Sequence, residues 1–156
     1  MTPIAFDVRG LPVAQGTARA FVAGGKARIA TDSNRLSSPI GAWRAAIATE
    51  ARAAVPGEPL AGPVGVDLVF RLPRPRGHFR PANGSRPQPE LRLDAPVFVT
   101  AKPDADKLVR AALDALTSVV FGDDSQVGRL TVTKRYVEPG EGPGVAVTVR
   151  SLEATR

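Results

Sequence analysis

Hydrophobic and polar residues alternate in several short runs of this chain, and a spacing of two predicts β-strands. IAFDVRG, at residues 4–10, is the first such run, and PVGVDLVFRL, at residues 63–72, is the longest. RLTVTKRYV and VAVTVR repeat the pattern near the C-terminus. Two more short runs flank Gly24 and Gly25, and adjacent glycines favour a tight hairpin turn. We therefore expect an opening strand, a hairpin and three later strands.

Two other segments space their hydrophobic residues by three and four, which predicts amphipathic helices. The first begins after Ser38-Pro39, the expected order of an N-cap and a first helical residue, and it stops before Pro56-Gly57. The second lies within KPDADKLVRAALDALTSVVFGDDSQV, at residues 102–127, and we expect a helix of about 15 residues there. Its predicted buried residues are Val109, Ala112, Leu113, Leu116 and Val120.

Between the longest strand and the second helix, residues 73–96 contain six prolines and mostly polar residues, which argues against regular structure or a core role. We call this segment the arm. The order of elements predicts an α+β fold: a small, mostly antiparallel mixed sheet with two main helices and a long basic loop. We expect one domain over residues 1–156, because neither side of the arm has enough elements to form a core of its own.

Composition narrows the chemistry before any motif is considered. The chain has no cysteine and one histidine, His78, which argues against structural zinc, cysteine nucleophiles and a Ser-His-Asp triad. A bound metal would need oxygen ligands. No apolar run approaches the roughly 20 residues that span a bilayer, and the N-terminus lacks the pattern of a signal peptide. We expect a cytoplasmic protein with no membrane contact and no small-molecule cofactor.

The net charge is +6, and the basic residues are concentrated in two places. One is the segment from Phe70 to Leu93, which overlaps the arm and has six arginines against a single acid, and the other is the predicted hairpin. Basic clusters of this kind favour a polyanionic partner such as DNA. The candidate DNA contacts are Arg74, Arg76 and Arg80 in the arm and Arg19, Lys26 and Arg28 in the hairpin. We expect His78, within the arm, to face solvent or phosphate.

Aspartates gather at both ends of the second predicted helix. Asp104 and Asp106 open it, and Asp123 and Asp124 follow a glycine beyond its end. Each pair has an ordinary explanation, as a helix cap or as turn chemistry. If the chain doubles back through Phe121, however, Asp124 approaches the first pair, and a hard divalent cation such as Mg²⁺ would offset the repulsion of three carboxylates. Adjacent identical residues leave open whether Asp123 or Asp124 is the ligand.

The segment PDADKLVRAALDAL, at residues 103–116, followed by DDSQV, at residues 123–127, resembles the RusA family of Holliday junction resolvases. The close match spans roughly residues 102–136, and GLPVAQGTARAFVAGG near the N-terminus is similar but weaker. The resemblance implies a homodimer that cuts four-way DNA junctions during recombination and repair, in a bacterial cell or encoded by its phage. It also implies dependence on Mg²⁺, with Mn²⁺ as the alternative ion.

By this resemblance the three metal-binding aspartates are Asp104, Asp106 and Asp124, with Asp123 as the substitute for Asp124. The basic helix residue of the family, usually lysine, falls on Arg110, which we expect to contact phosphate. Lys107 stands where the family often has asparagine, and it is a further candidate DNA contact. Lys134 interrupts the apolar alternation of its strand, either as an edge residue that extends to water or as a site residue that faces the metal. We expect the second, and Lys134 is also a candidate DNA contact. Asp114 is expected to be structural and to pair with Arg110.

Other functions explain fewer of these residues. A restriction-like nuclease needs an acid and a Glu-x-Lys on a following strand, and TVTKRYV contains no acid. A non-catalytic DNA-binding protein accounts for the charge but not for aspartates, which weaken binding to phosphate. A metal-dependent nuclease that acts on other branched DNA remains an alternative. A structural or assembly protein accounts for neither the charge nor the acids.

Overall fold

The computed structural model describes residues 2–16, 19–30 and 38–153. Within these ranges a four-stranded sheet packs against two helices, and two small two-stranded sheets lie apart from it. The strands, in chain order, are β1 (Ile4–Arg9), β2 (Arg19–Ala23), β3 (Lys26–Ala30), β4 (Val64–Leu72), β5 (Phe79–Arg80), β6 (Glu90–Leu91), β7 (Val127–Tyr136) and β8 (Gly144–Ser151). The helices are α1 (Pro39–Ala54) and α2 (Ala105–Leu116). The predicted α+β class is confirmed.

The main sheet has the strand order β1-β8-β4-β7. Strands β1 and β4 both run antiparallel to β8, whereas β7 runs parallel to β4, so the sheet is mixed as predicted. Joining two parallel neighbours requires a long crossover, and here the crossover contains the arm and α2. Because β7 follows this crossover directly, the first half of β7 comes to lie beside α2.

Helix α1 follows its sequence pattern. The Ser38 hydroxyl accepts a hydrogen bond from the Gly41 amide at 3.1 Å, which is the predicted N-cap. The hydrophobic face of α1 contributes Trp43 and Ile47 to the core that covers the sheet. The predicted hairpin at Gly24 and Gly25 is also present, between β2 and β3.

Helix α2 is shorter than predicted and buries a different set of residues. It ends at Leu116, and the chain then turns through Ser118, at φ 63°, to bury Val120 and Phe121. Buried on α2 itself are Leu108, Ala111, Ala112, Ala115 and Leu116. Val109 and Leu113, which we predicted to be buried, are only partly buried because they line an open cleft beside β7. The buried stripe is therefore rotated from the predicted one.

The arm has more order than its prolines suggested. It contains β5, β6 and a short 3-10 helix at Arg76–His78. Arg74 fastens it to the domain, donating hydrogen bonds to the carbonyls of Val137 at 2.8 Å and Pro96 at 2.7 Å. The His78 ring packs edge-on against Tyr136, with 4.7 Å between ring centroids, so His78 has a protein contact where solvent or phosphate was expected. Because β5, β6 and the 3-10 helix lie within the arm, the prediction of an arm without secondary structure is wrong. The contacts of Arg74 and His78 anchor the arm to the domain.

A network of ion pairs ties the β7–β8 loop to strands β1, β4 and β7. Arg71, buried on β4, pairs with Asp7 at 2.6 Å. Arg135 forms two hydrogen bonds of 2.7 Å with Glu141. These bonds, with one from the backbone amide of Glu138, lower the pKa of Glu141 to about 2. Within the described ranges, neither helix combines the length and apolar character that crossing a bilayer requires.

Candidate active site

Asp104 occupies the N-cap position of α2 but does not use its carboxylate as a cap. Its backbone carbonyl accepts from the Leu108 amide at 3.2 Å, whereas its side chain makes no capping hydrogen bond with any described residue. Half of its surface is exposed, and its closest charged contact is Lys107 Nζ at 3.4 Å. Capping, the ordinary reason for an aspartate at this position, therefore does not account for the carboxylate.

Asp106, Arg110 and Asp124 border one cleft between α2 and the start of β7, with a volume of about 420 Å³. Its apolar lining comes from Val109, Leu113, Leu130 and Val132. Asp106 comes from the first turn of α2, and Asp124 from the 3-10 turn that leads into β7. The chain does double back as the sequence suggested, and it brings acids from both ends of the motif to one cleft.

Asp123 and Asp124 are neighbours with different surroundings. The Asp123 carboxylate accepts a hydrogen bond from the Ser125 amide at 2.9 Å and caps the 3-10 turn. Hydrogen bonding by Ser125, from its side chain and its backbone, lowers the pKa of Asp123. The exposed carboxylate of Asp124 has no hydrogen-bond or ion-pair partner among the residues the structure describes, and it borders the cleft. Turn chemistry therefore occupies Asp123 and leaves Asp124 available.

Arg110 is exposed on α2, and no acid in the described part of the chain pairs with it. We predicted that Asp114 would pair with Arg110, and this is wrong. Asp114 instead pairs with Arg44 of α1 at 2.6 Å, a contact between residues 70 positions apart that helical spacing could not indicate. This ion pair joins the two helices, and the Arg110 guanidinium lines the cleft without an acidic partner among the described residues. Asp124 also borders a second cleft, with Arg44 and Arg52.

Lys134 and Gln126 both donate side-chain hydrogen bonds to backbone carbonyls of other segments. Lys134 Nζ donates to the carbonyls of Ala101 and Pro103, both at 2.8 Å, just before Asp104. The Gln126 amide nitrogen donates to carbonyls of the loop before β4. Gln126 had no predicted role, although its position three residues after Asp123 is the spacing of a capping box.

The family model for endodeoxyribonuclease RusA matches residues 10–150. The chain belongs to the RusA endodeoxyribonuclease family. It is also similar to the uncharacterized protein YqaN of Bacillus subtilis (strain 168), with 32% identity over 154 residues that cover 99% of this chain and all of the relative. Membership of the RusA family implies an endonuclease of the Holliday junction resolvase type that acts on branched DNA.

Within this RusA-family fold, the candidate DNA contacts have different surroundings. Arg76 and Arg80 are exposed on the arm, and Lys26 is exposed at the hairpin turn. The side chains of Arg19 and Arg28 lie outside the described part of the structure. Arg74, by contrast, keeps only 3% of its side chain exposed, and its guanidinium makes internal hydrogen bonds. The Arg74 guanidinium therefore faces the protein and anchors the arm, which places it poorly for the predicted DNA contact.

The exposed carboxylates of Asp106 and Asp124 at the cleft, and of Asp104 two residues before Asp106, offer the oxygen ligands that suit a hard divalent cation. The residues that line the cleft include no histidine or cysteine. Over the described residues, however, no three acidic or histidine side chains gather closely enough to hold a metal ion. Asp106 and Asp124 border the same cleft, and Asp104 is not among the residues that line it. The RusA family is metal-dependent in general, and the ligand set of this member stays a prediction.

Proposed function

We propose that this protein is a Mg²⁺-dependent endonuclease that resolves four-way DNA junctions by paired nicks, acting as a homodimer in DNA recombination and repair. One observation carries the proposal. Asp106, Asp124 and Arg110, supplied by two separate segments of a RusA-family chain, border one open cleft, and none of the three has an ion-pair partner among the described residues. Three charged side chains that share one cleft and have no ion-pair partner among the described residues favour a role toward a ligand over a role in the fold.

The chemistry of phosphodiester hydrolysis explains why acids and a base would share this cleft. A divalent cation supplies, when bound, a water of lowered pKa and neutralisation of charge on the phosphate. The carboxylates of Asp106 and Asp124, with Asp104 at the same end of α2, would hold the cation. Asp123 is the less suitable ligand, because its carboxylate is engaged by Ser125. A divalent cation also counters the repulsion between these acids and a DNA backbone.

Arg110 would contact the scissile phosphate or its neighbour. It lies four residues after Asp106, so both side chains project from the same side of α2. A guanidinium binds two phosphate oxygens as a planar fork and stays protonated at any working pH. It would therefore position and stabilise the phosphate rather than donate a proton to the leaving oxygen. The exposed Arg76, Arg80 and Lys26, with Lys107 at the start of α2, would contact phosphates farther along the arms of the junction.

Two-fold symmetry would explain paired nicks, because a four-way junction presents two equivalent strands to a symmetric dimer. In a mixed dimer of wild type and Asp106→Asn, both subunits keep their DNA-binding surfaces. Only the wild-type subunit keeps all of its proposed metal ligands. Such dimers should convert a cruciform plasmid to a nicked circle, whereas wild type should give linear DNA. Efficient linearisation by mixed dimers would contradict the assignment of one cut to each subunit.

The proposal is tested with a labelled synthetic four-way junction and a linear duplex of the same sequence. Wild type should cut the junction in Mg²⁺ but not in EDTA, and it should leave the duplex intact. Asp106→Asn should bind the junction with wild-type affinity and fail to cut it, whereas the control Asp94→Asn, on the arm, should cut normally. Failure of wild type to cut in Mg²⁺, or normal cutting by Asp106→Asn, would overturn the proposal. Preferential cutting of three-way or forked DNA would overturn the assigned substrate.

A further inference from the structure

Two side chains associated with β7 hold the two backbone segments that carry the proposed metal ligands. Lys134, near the end of β7, donates from Nζ to the carbonyls of Ala101 and Pro103, both at 2.8 Å. Ala101 lies three residues before Asp104, and Pro103 lies directly before it. Lys134 thereby connects a strand of the main sheet to the segment that begins α2.

Gln126, immediately before β7, makes the corresponding contacts at the other segment. Its amide nitrogen donates to the carbonyls of Leu60, at 3.0 Å, and Gly62, at 2.8 Å. Its Oε1 accepts from the Asp123 amide at 2.9 Å. One side chain therefore fixes the Asp123–Asp124 turn and also joins it to the loop before β4. A Cβ at Gly122 would come within 3.1 Å of Gln126 Oε1, so the closely packed turn has little room for a larger residue there.

The two hydrogen bonds of Lys134 are unusual for a lysine beside a proposed DNA-binding cleft. A lysine on a basic protein surface ordinarily extends its ammonium into water or toward an acid. Here the ammonium is used on two neutral carbonyls, even though Asp104 is close in sequence to both of them. Hydrogen bonds to a charged group are stronger than neutral ones, by a factor of about two. The hydrogen bonds of the Lys134 ammonium therefore restrain the segment before Asp104 more firmly than those of a neutral side chain could.

We propose that Lys134 and Gln126 are a pair of positioning residues that set the placement of Asp104 and Asp124 relative to each other. The inference rests on the proposed function, since it assigns the two residues to the same metal site. Both act through backbone, and both are attached to one strand, which provides a rigid reference for two separate segments. This replaces the expectation that Lys134 contacts DNA directly.

A positioning role differs measurably from a DNA contact and from a general contribution to stability. Loss of a DNA contact weakens junction binding and reduces its dependence on salt. Loss of a residue that orients metal ligands typically lowers metal affinity or activity by about 10- to 100-fold. Lys134→Met and Gln126→Leu remove the polar groups at nearly constant volume. Lys102→Met, exposed in the same loop, and Gln88→Leu, exposed on the arm, are matched controls.

The test measures Mg²⁺ binding to DNA-free protein by calorimetry, junction affinity by gel shift, cleavage under single-turnover conditions and amide hydrogen exchange. We expect Lys134→Met and Gln126→Leu to weaken Mg²⁺ binding and slow cleavage by about 10- to 100-fold, with junction affinity within about threefold of wild type. Exchange should accelerate around residues 101–104 in the first variant and 122–126 in the second. Lys134→Arg, which keeps charged donors, should recover most of the loss, and the controls should match wild type.

Unchanged Mg²⁺ affinity in both variants would overturn the inference, as would a loss of cleavage that junction affinity fully explains. A variant that unfolds is replaced by Lys134→Gln or Gln126→Glu, which keep part of the polar group, and the same criteria apply. If wild type binds Mg²⁺ but cuts no branched DNA, the proposed function fails. Calorimetry and hydrogen exchange would then still decide whether Lys134 and Gln126 position the acids.

Discussion

Substituting Asp123 and Asp124 one at a time separates a structural acid from a proposed functional one. Asp123→Ala and Asp124→Ala remove the same charge from adjacent positions, so a general electrostatic effect on DNA binding should be nearly equal in both. Their contacts differ. The Asp123 carboxylate accepts the Ser125 amide at 2.9 Å, whereas Asp124 borders the α2–β7 cleft with no partner in the described part of the chain.

The expected magnitudes follow from these contacts. Loss of a capping side chain costs about 1 kcal/mol, which lowers the melting temperature of a domain of this size by roughly 2–4 °C. Asp123→Ala should show this loss and keep most of its activity. Asp124→Ala removes no hydrogen bond or ion pair to a described residue and should change stability by no more than about 0.5 kcal/mol. If Asp124 holds the cation, losing about 3 kcal/mol or more of transition-state stabilisation slows cleavage by at least about 100-fold.

Thermal melts followed by circular dichroism and single-turnover cleavage of a four-way junction measure both quantities on the same preparations. The reasoning requires opposite patterns in the two variants. It is refuted if Asp124→Ala cuts within threefold of wild type, or if Asp123→Ala loses activity while it melts at the wild-type temperature. The second result would identify Asp123 as the ligand.

Three further predictions concern the fold. The pKa of Glu141, about 2 when folded, lies below its ordinary 4.5, so its contribution to stability should be complete above pH 4.5 and lost as pH falls toward 2; denaturant titrations should show Glu141→Gln less stable at pH 7, by about 1–2 kcal/mol, with a flatter dependence between pH 2 and 4.5. Gly144→Ala places a Cβ 2.0 Å from the Val8 carbonyl oxygen, so it should cost more than about 3 kcal/mol, and a wild-type melting temperature would contradict this. Arg74→Ala should release the arm to limited proteolysis between residues 75 and 95 while the remaining core resists cleavage, and equal protection of the arm would show that Arg74 does not anchor it.

Elements with a local signal could be predicted from the sequence. Ser38-Pro39 marked the start of α1, the glycine pair marked the β2–β3 turn, and the alternation at residues 63–72 predicted the strand β4. The RusA-type motif around Asp104 and Asp124 indicated a family, and the family match confirmed it. Each of these signals lies within a few residues of the feature it specifies, or within one compact motif.

Contacts between distant segments could not be predicted in this way. Arg44 meets Asp114 across 70 positions, and Lys134 reaches the segment before Asp104 across 31 and 33. Arg74 looked like one more arginine of a basic arm, because its burial depends on how the arm folds back onto the β7–β8 side of the sheet. The buried face of α2 was misjudged for a similar reason. Val109 and Leu113 line an open cleft, yet they are as apolar as residues that face the core, so the hydrophobic pattern could not distinguish the two.

The location of the metal ion is the most direct test of the central claim. Crystals of the protein soaked in Mn²⁺ should give an anomalous difference peak in the α2–β7 cleft, within about 2.5 Å of carboxylate oxygens of Asp106 and Asp124. The same soak of Asp124→Asn should give no peak there, and that variant should not cut junctions. A Mn²⁺ peak held by other residues, in a protein that cuts junctions and needs Mn²⁺ to do so, would contradict the account.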